Sequence, residues 1–197
     1  MSPFSLSFLL LPLALFLVLG AHPIAAQPPA PSPSSNANDL IYTACEEANH
    51  KDFCIHVLKS DRNSPTADIK GLAYIVLRLA EKNATATSLF IKQKLNSLGQ
   101  IKSDLIQQSL MDCADHYITA SELVEDAISS LVSGIYNDAS QLAKAAVADL
   151  DGCDAGIKEY KDSSPNALEV VNKNQLIRQL INTGLTIAHV AATAKAH

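Results

Sequence analysis

Apolar residues recur in steps of three and four along most of this chain of 197 residues. That spacing lines one face of an α-helix. Four long stripes result. The first runs through Ile69, Leu72, Val76, Ala80, Thr87, Ile91, Leu95 and Leu98, and Gly99 closes it. The second carries Ile106, Leu110, Cys113, Tyr117, Ala120, Val124, Ala127 and Leu131. The third carries Ala139, Ala143, Ala146, Leu150, Cys153, Ile157 and Tyr160, and the fourth Leu168, Val171, Ile177, Leu180, Gly184, Ile187 and Ala191. Ser64-Pro65 and Ser164-Pro165 each set an N-cap residue before a proline suited to the first helical position, so they open the first and fourth helices. Upstream, Asp39 to Leu58 reads as two short helical pieces around Asn49-His50. Four amphipathic helices with short connections bury their stripes best as an antiparallel bundle, so the expected fold is all-α.

The first 38 residues follow another pattern. Leu9 to Leu19 is almost wholly apolar and stops at Gly20, short of the ~20 residues that a membrane span needs. Small residues at Ala25-Ala26 offer a cleavage point, so residues 1–26 are read as an export signal, despite an n-region without Lys or Arg. The Pro/Ser-rich stretch 27–38 reads as an extended spacer that joins no core. One domain is expected over 39–192, with 193–197 as a tail. Without a retention signal, the expected destination is the cell exterior or wall, with the vacuole next.

Four cysteines, Cys45, Cys54, Cys113 and Cys153, all lie beyond the leader, and an even set in an exported chain forms bridges. Cys113 and Cys153 are nearly symmetric about Ser133-Gly134. If a turn lies there, each is about 20 residues, or roughly 30 Å, along its own helix, and the two come level. Cys45 and Cys54 remain as a local pair.

Composition narrows the function. The formal net charge of −5 mixes acids with bases, which suits neither a nucleic acid nor an anionic membrane surface. No Gly-x-Ser-x-Gly elbow occurs, and His22, His50, His56, His116, His189 and His197 show no zinc-binding spacing, so neither catalysis nor a metal or other cofactor is expected. A carrier with a cavity in the bundle is the third class, but the many Ala residues in the stripes suit close helix packing instead. Asn83-Ala84-Thr85 is an N-glycosylation sequon, which makes Asn83 a candidate modification site. Tyr117 lies on a core stripe and is read as structural.

Several blocks together resemble one family. They are Asp39-Leu-Ile-Tyr-Thr-Ala-Cys45 with Cys54 beyond it, Leu58-Lys-Ser-Asp61-Arg62-Asn-Ser64 and Ala67-Asp68-Ile-Lys-Gly71-Leu72-Ala73. Leu110-Met-Asp-Cys113 with Tyr117, and Ser133-Gly134-Ile135-Tyr136-Asn137-Asp-Ala139 leading through Ala145-Ala146 to Cys153, complete the set. This order is similar to that of the plant pectin methylesterase and invertase inhibitors, over about residues 39 to 192. The resemblance implies a protein inhibitor with no catalytic residues of its own, which blocks the substrate cleft of a pectin methylesterase or of an acid invertase. It also implies a helical hairpin, 39–60, stapled by the first two cysteines and set outside a four-helix bundle, 64–192, stapled by the last two. Tobacco-like invertase inhibitors carry Pro-Lys-Phe between the second and third bundle helices. Here that stretch is Tyr136-Asn137-Asp138, and Gly134-Ile135-Tyr136-Asn137 looks closer to the Gly-Asp-Tyr-Asn of methylesterase inhibitors. The expected partner is therefore a pectin methylesterase, with acid invertase as the alternative. Ile135, Ala48 and Lys144 depart from common family residues. The expected contact surface lies on the polar faces of the second and third long helices: His116, Thr119, Glu122, Asp126 and Ser130, then Asn137, Ser140, Gln141 and Lys144.

Overall fold

The protein is seen in a computed structural model that describes residues 35–97 and 105–194. The leader, most of the spacer, Leu98-Gly99 and the last three residues lie outside the described residues. The elements are α1 (Ser35–Ala44), α2 (Lys51–Ser60), a 3-10 turn (Ser64–Thr66), α3 (Ile69–Ser97), α4 (Leu105–Val132), α5 (Tyr136–Ile157), a second 3-10 turn (Lys158–Tyr160) and α6 (Pro165–Ala194). Helices α3 to α6 form the antiparallel bundle, each packed on its sequence neighbour and α6 closing back on α3. The α5–α6 side is the least intimately packed of the four.

Several sequence expectations need correction. Helix α1 begins at Ser35, inside the stretch read as spacer, and Ala37 is buried. Pro33 is the last proline before Pro65, so no proline interrupts residues 35–44. Helix α3 opens at Asp68 rather than Ser64. The Asp68 carboxylate accepts from Gly71 N at 2.7 Å, as an N-cap does, whereas Ser64 is buried in its own short turn with no partner for Oγ. A carboxylate also suits the positive end of the helix dipole better than a hydroxyl. Ser164 does cap α6 as expected, accepting from Ala167 N at 3.3 Å. The third correction concerns the fourth stripe. Leu168 is exposed, and the buried line begins instead with Ala167, Val170 and Asn174. An asparagine interrupts the apolar pattern there, donating from Nδ2 to Leu150 O at 2.8 Å. The first three stripes are buried over their described central positions. Helix α6 also runs to Ala194, two residues into the stretch read as a tail.

Both bridges are formed: Cys45 to Cys54 and Cys113 to Cys153, with Cα–Cα distances of 5.7 and 4.5 Å. Between α4 and α5, Gly134 takes φ 77°, a conformation open to glycine at little cost. Gly134 N donates to Leu131 O and Ile135 N to Ser130 O, a Schellman closure that reverses the chain within a few residues and sets the two cysteines level. Ile41, Ala44, Cys45, Cys54, Val57 and Leu58 from the α1–α2 hairpin belong to the same apolar cluster as the bundle interior. The hairpin is therefore continuous with the core. At Gly184 an added Cβ would lie 2.6 Å from Leu77 Cδ2, so the glycine sets how closely α6 approaches α3.

Candidate docking surface

The α4–α5 pair is the most constrained part of the bundle, held by a bridge in its interior, by the Schellman turn at one end and by a polar clasp between them. In the clasp, His116 Nδ1 lies 2.9 Å from Asp149 Oδ1, with His116 on α4 and Asp149 on α5. The imidazole lies against Gly152, where an added Cβ would come within 2.7 Å of His116 Cε1. A glycine in mid-helix signals such close approach, and that signal was available in the sequence. Lys70 of α3 donates to Val132 O at 3.3 Å and ties down the end of α4.

The nine expected contact residues do not form one patch. Glu122 and Asp126 line a shallow groove of about 190 Å³ with Glu81, Ser121 and Glu125, on the side of α4 that meets α3. Arg78 of α3 spans this side, 3.2 Å from Glu125 and 3.7 Å from Glu81. Asn137 and Ser140 lie in a groove of about 280 Å³ with Tyr136, Leu185, Ala188 and His189, on the side of α5 that meets α6. His116 is drawn into the clasp, while Thr119 spends its hydroxyl on Asp115 O at 3.3 Å. Ser130 is half-buried, and Gln141 and Lys144 are exposed. The sequence reading placed all nine opposite the stripes. It could not tell which flank of each helix a neighbour would occupy.

Charge unites the surface better than proximity does. The α4 and α5 helices carry Asp112, Asp115, Glu122, Glu125, Asp126, Asp138, Asp149, Asp151 and Asp154, against Lys144 as their one Lys or Arg. Over the whole chain the balance is 20 acids to 15 bases, so the negative charge is concentrated on this hairpin. The turn between the helices adds apolar side chains, with Val132 and Ile135 both at least half exposed.

Nothing in this region is built for bond making. All four cysteines are bridged, and among the described residues no three His, Cys, Asp or Glu side chains converge as metal ligands. Tyr117 is fully buried, its hydroxyl 3.5 Å from Val170 O. Burial first, and the Asp154 charge second, raise its pKa well above the ordinary 10.0, with Arg178 pulling the other way. That is a core phenol held neutral. Asn83 lies in the middle of α3, half-buried, and its Nδ2 donates to Leu79 O at 2.7 Å. No helix among the described residues is long and apolar enough to cross a membrane.

Residues 39–187 match the family described as plant invertase/pectin methylesterase inhibitor. Among similar proteins, the cell wall / vacuolar inhibitor of fructosidase 2 of Arabidopsis thaliana is 36% identical over 58% of this chain and 63% of its own length. The match thus spans a little under two thirds of that relative. A putative invertase inhibitor of Platanus orientalis is 30% identical over 75% of this chain and 88% of its own length. A pectinesterase inhibitor of Actinidia deliciosa is 27% identical over 71% of this chain and 72% of its own length. A mutant form of a pectin methylesterase inhibitor from Arabidopsis shares the fold with a TM-score of 0.62, at 23% identity, over 76% of this chain and 95% of that one.

Proposed function

We propose, since the chain belongs to the plant invertase/pectin methylesterase inhibitor family, that it is an exported protein inhibitor that acts by covering the substrate cleft of a carbohydrate-active enzyme. The rigidity of the α4–α5 hairpin supports this reading. A surface fixed by a bridge, a closed turn and a clasp loses little conformational entropy on docking. Its excess of carboxylates steers it toward a cationic rim on the partner and speeds the encounter.

For the target we put an acid invertase, a β-fructofuranosidase, first. The observation that carries this is the degree of similarity to the relatives. The relatives at 36% and 30% identity are named as inhibitors of fructosidase and of invertase, and the pectinesterase inhibitor of Actinidia stands at 27%. The second reading, pectin methylesterase, rests on the turn Gly134-Ile135-Tyr136-Asn137 and the lack of Pro-Lys-Phe. It concerns one loop, whereas the similarity covers most of the domain. The test is a paired titration of the mature chain against a plant acid invertase and a plant pectin methylesterase at acidic pH. Stoichiometric loss of invertase activity with methylesterase untouched is expected. The opposite pattern selects the second reading, and no effect on either enzyme removes the inhibitor reading.

A further inference from the structure

A cleft of about 210 Å³ lies between the turn that joins α1 to α2 and the outer side of α6. Asn49 and His50 line it from the turn, and Gln175, Gln179, Asn182 and Thr183 from α6. The rest of its lining is polar too, with no carboxylate and no aliphatic residue. It shares no residue with the surface on α4 and α5. Thr183 is the unusual member. The residue as a whole is 5% exposed, it lines the cleft, and its hydroxyl takes part in none of the hydrogen bonds among the described residues. Thr87, Thr186 and Thr193 each donate to a carbonyl one turn back in their own helices, so the lack of such a bond at Thr183 is not the rule for this chain. The Thr183 oxygen is not sealed in, as that of Ser64 is, so the hydroxyl stays open to the cleft as a donor and acceptor for a ligand.

We propose that this cleft is a binding site for an uncharged sugar ring. Three observations select that ligand. Amide side chains each offer a donor pair and an acceptor, and Asn49, Gln175, Gln179 and Asn182 set four of them around one space. Vicinal hydroxyls, each donor and acceptor at once, match such an array. The volume lies below the range for drug-sized ligands, so it holds one ring rather than a chain. Charge decides against an anion. Arg178 borders the cleft, but its guanidinium is held by Asp151 and by Asp154, the latter at 2.9 Å, so its positive charge is balanced by α5. The small imidazole of His50 is the one aromatic ring in the lining, and no Phe, Tyr or Trp is there to stack against the sugar, so the affinity is modest, with a Kd of about a millimolar. A bound ring touches both the hairpin turn and α6, and so ties the hairpin to the bundle.

The test is amide chemical-shift mapping of the intact mature chain titrated with glucose, galacturonate and sucrose. Saturable shifts with glucose, confined to Asn49-His50 and to residues 175–186, are expected. Thr183→Val, which keeps the shape, and Asn182→Ala, at an exposed position, should each weaken binding by about tenfold while the remaining spectrum stays that of the folded chain. Glucose should bind at least as tightly as galacturonate. Sucrose binding more tightly than glucose identifies the end of an oligosaccharide as the source, and equal or weaker binding identifies a free monosaccharide; both support the site. No saturable shift with any of the three overturns the proposal. So do shifts unchanged in both variants, and so does a clear preference for galacturonate.

Discussion

At the scale of single residues, the informative positions are those where a side chain is wanted for one contact and nothing else. Gly152 is one. Gly152→Ala would press a methyl into the His116 ring and is expected to lower unfolding stability by about 1–3 kcal/mol in urea denaturation. In a His116→Ala background the same change should cost little, and a cost that persists there would place the strain elsewhere. Asp68 and Ser64 form a second pair. Asp68→Ala removes the α3 cap and should cost about 1 kcal/mol, while Ser64→Ala removes a buried hydroxyl that has no partner and should be neutral or slightly stabilising. Tyr117 gives a pH dependence. Its folded pKa is raised, so the neutral phenol is the form the fold prefers. Its contribution is complete below the unfolded pKa of about 10 and declines as pH rises beyond it. Tyr117→Phe should therefore unfold less readily than the parent at strongly alkaline pH and differ little near neutrality. Denaturation curves at both pH values decide this.

Among the helices, α4 and α5 combine the least freedom with the most negative charge, and the docking prediction belongs to them. Glu122 and Asp126 share their groove with Glu81 and Glu125. Reversing their charge as Glu122→Lys with Asp126→Lys relieves repulsion inside the protein while removing attraction to a cationic partner. The double variant should remain as stable as the parent, or gain a few tenths of a kcal/mol, yet inhibit its enzyme at least tenfold more weakly. Unchanged inhibition by a folded double variant would move the contact to the α5–α6 groove, where Asn137 and Ser140 lie. The α1–α2 hairpin makes the complementary case. A chain starting at Ser60 should keep the helicity of α3 to α6, since their stripes pack chiefly on one another. It should nonetheless lose stability, because six buried hairpin side chains leave the shared cluster. Loss of most of the far-ultraviolet helical signal would mean instead that the bundle cannot form without the hairpin.

For the molecule as a whole, the bridges act on the unfolded chain more than on the folded one. Cys113 and Cys153 are 40 residues apart, and by chain-entropy reasoning that closure contributes about 4 kcal/mol, against under about 3 for the Cys45–Cys54 pair, 9 residues apart. Replacing Cys113 and Cys153 by Ser should thus lower stability more than replacing Cys45 and Cys54. A reversed order in thermal or urea unfolding would show that the hairpin bridge constrains more of the chain than its own loop. The lopsided charge has a whole-molecule consequence too. Association with the target should slow as ionic strength rises, and a salt-independent on-rate would remove the steering role given to the carboxylates.

Sequence by itself determined the helices, their approximate order and the two bridges. Each depends on a local period or on a symmetric count of residues about a turn, and helix geometry converts such counts directly into distance. It also carried the family, whose blocks lie around the cysteines and the Gly134 turn. It misjudged the places where polar groups take buried or capping roles. Asn174 sits in the core because Leu150 O is there to receive it, and Asp68 displaces Ser64 as a cap because Ser64 is buried against its surroundings. No periodicity records such partners. The scatter of the nine expected contact residues, with two pairs in separate grooves and His116 in a clasp, and the cleft between the hairpin turn and α6, were settled only by tertiary structure. A residue's position around its own helix is a local property. Which neighbour occupies that side, and how much room it leaves, depends on segments more than a hundred residues away in the chain, such as Asn49 and Thr183.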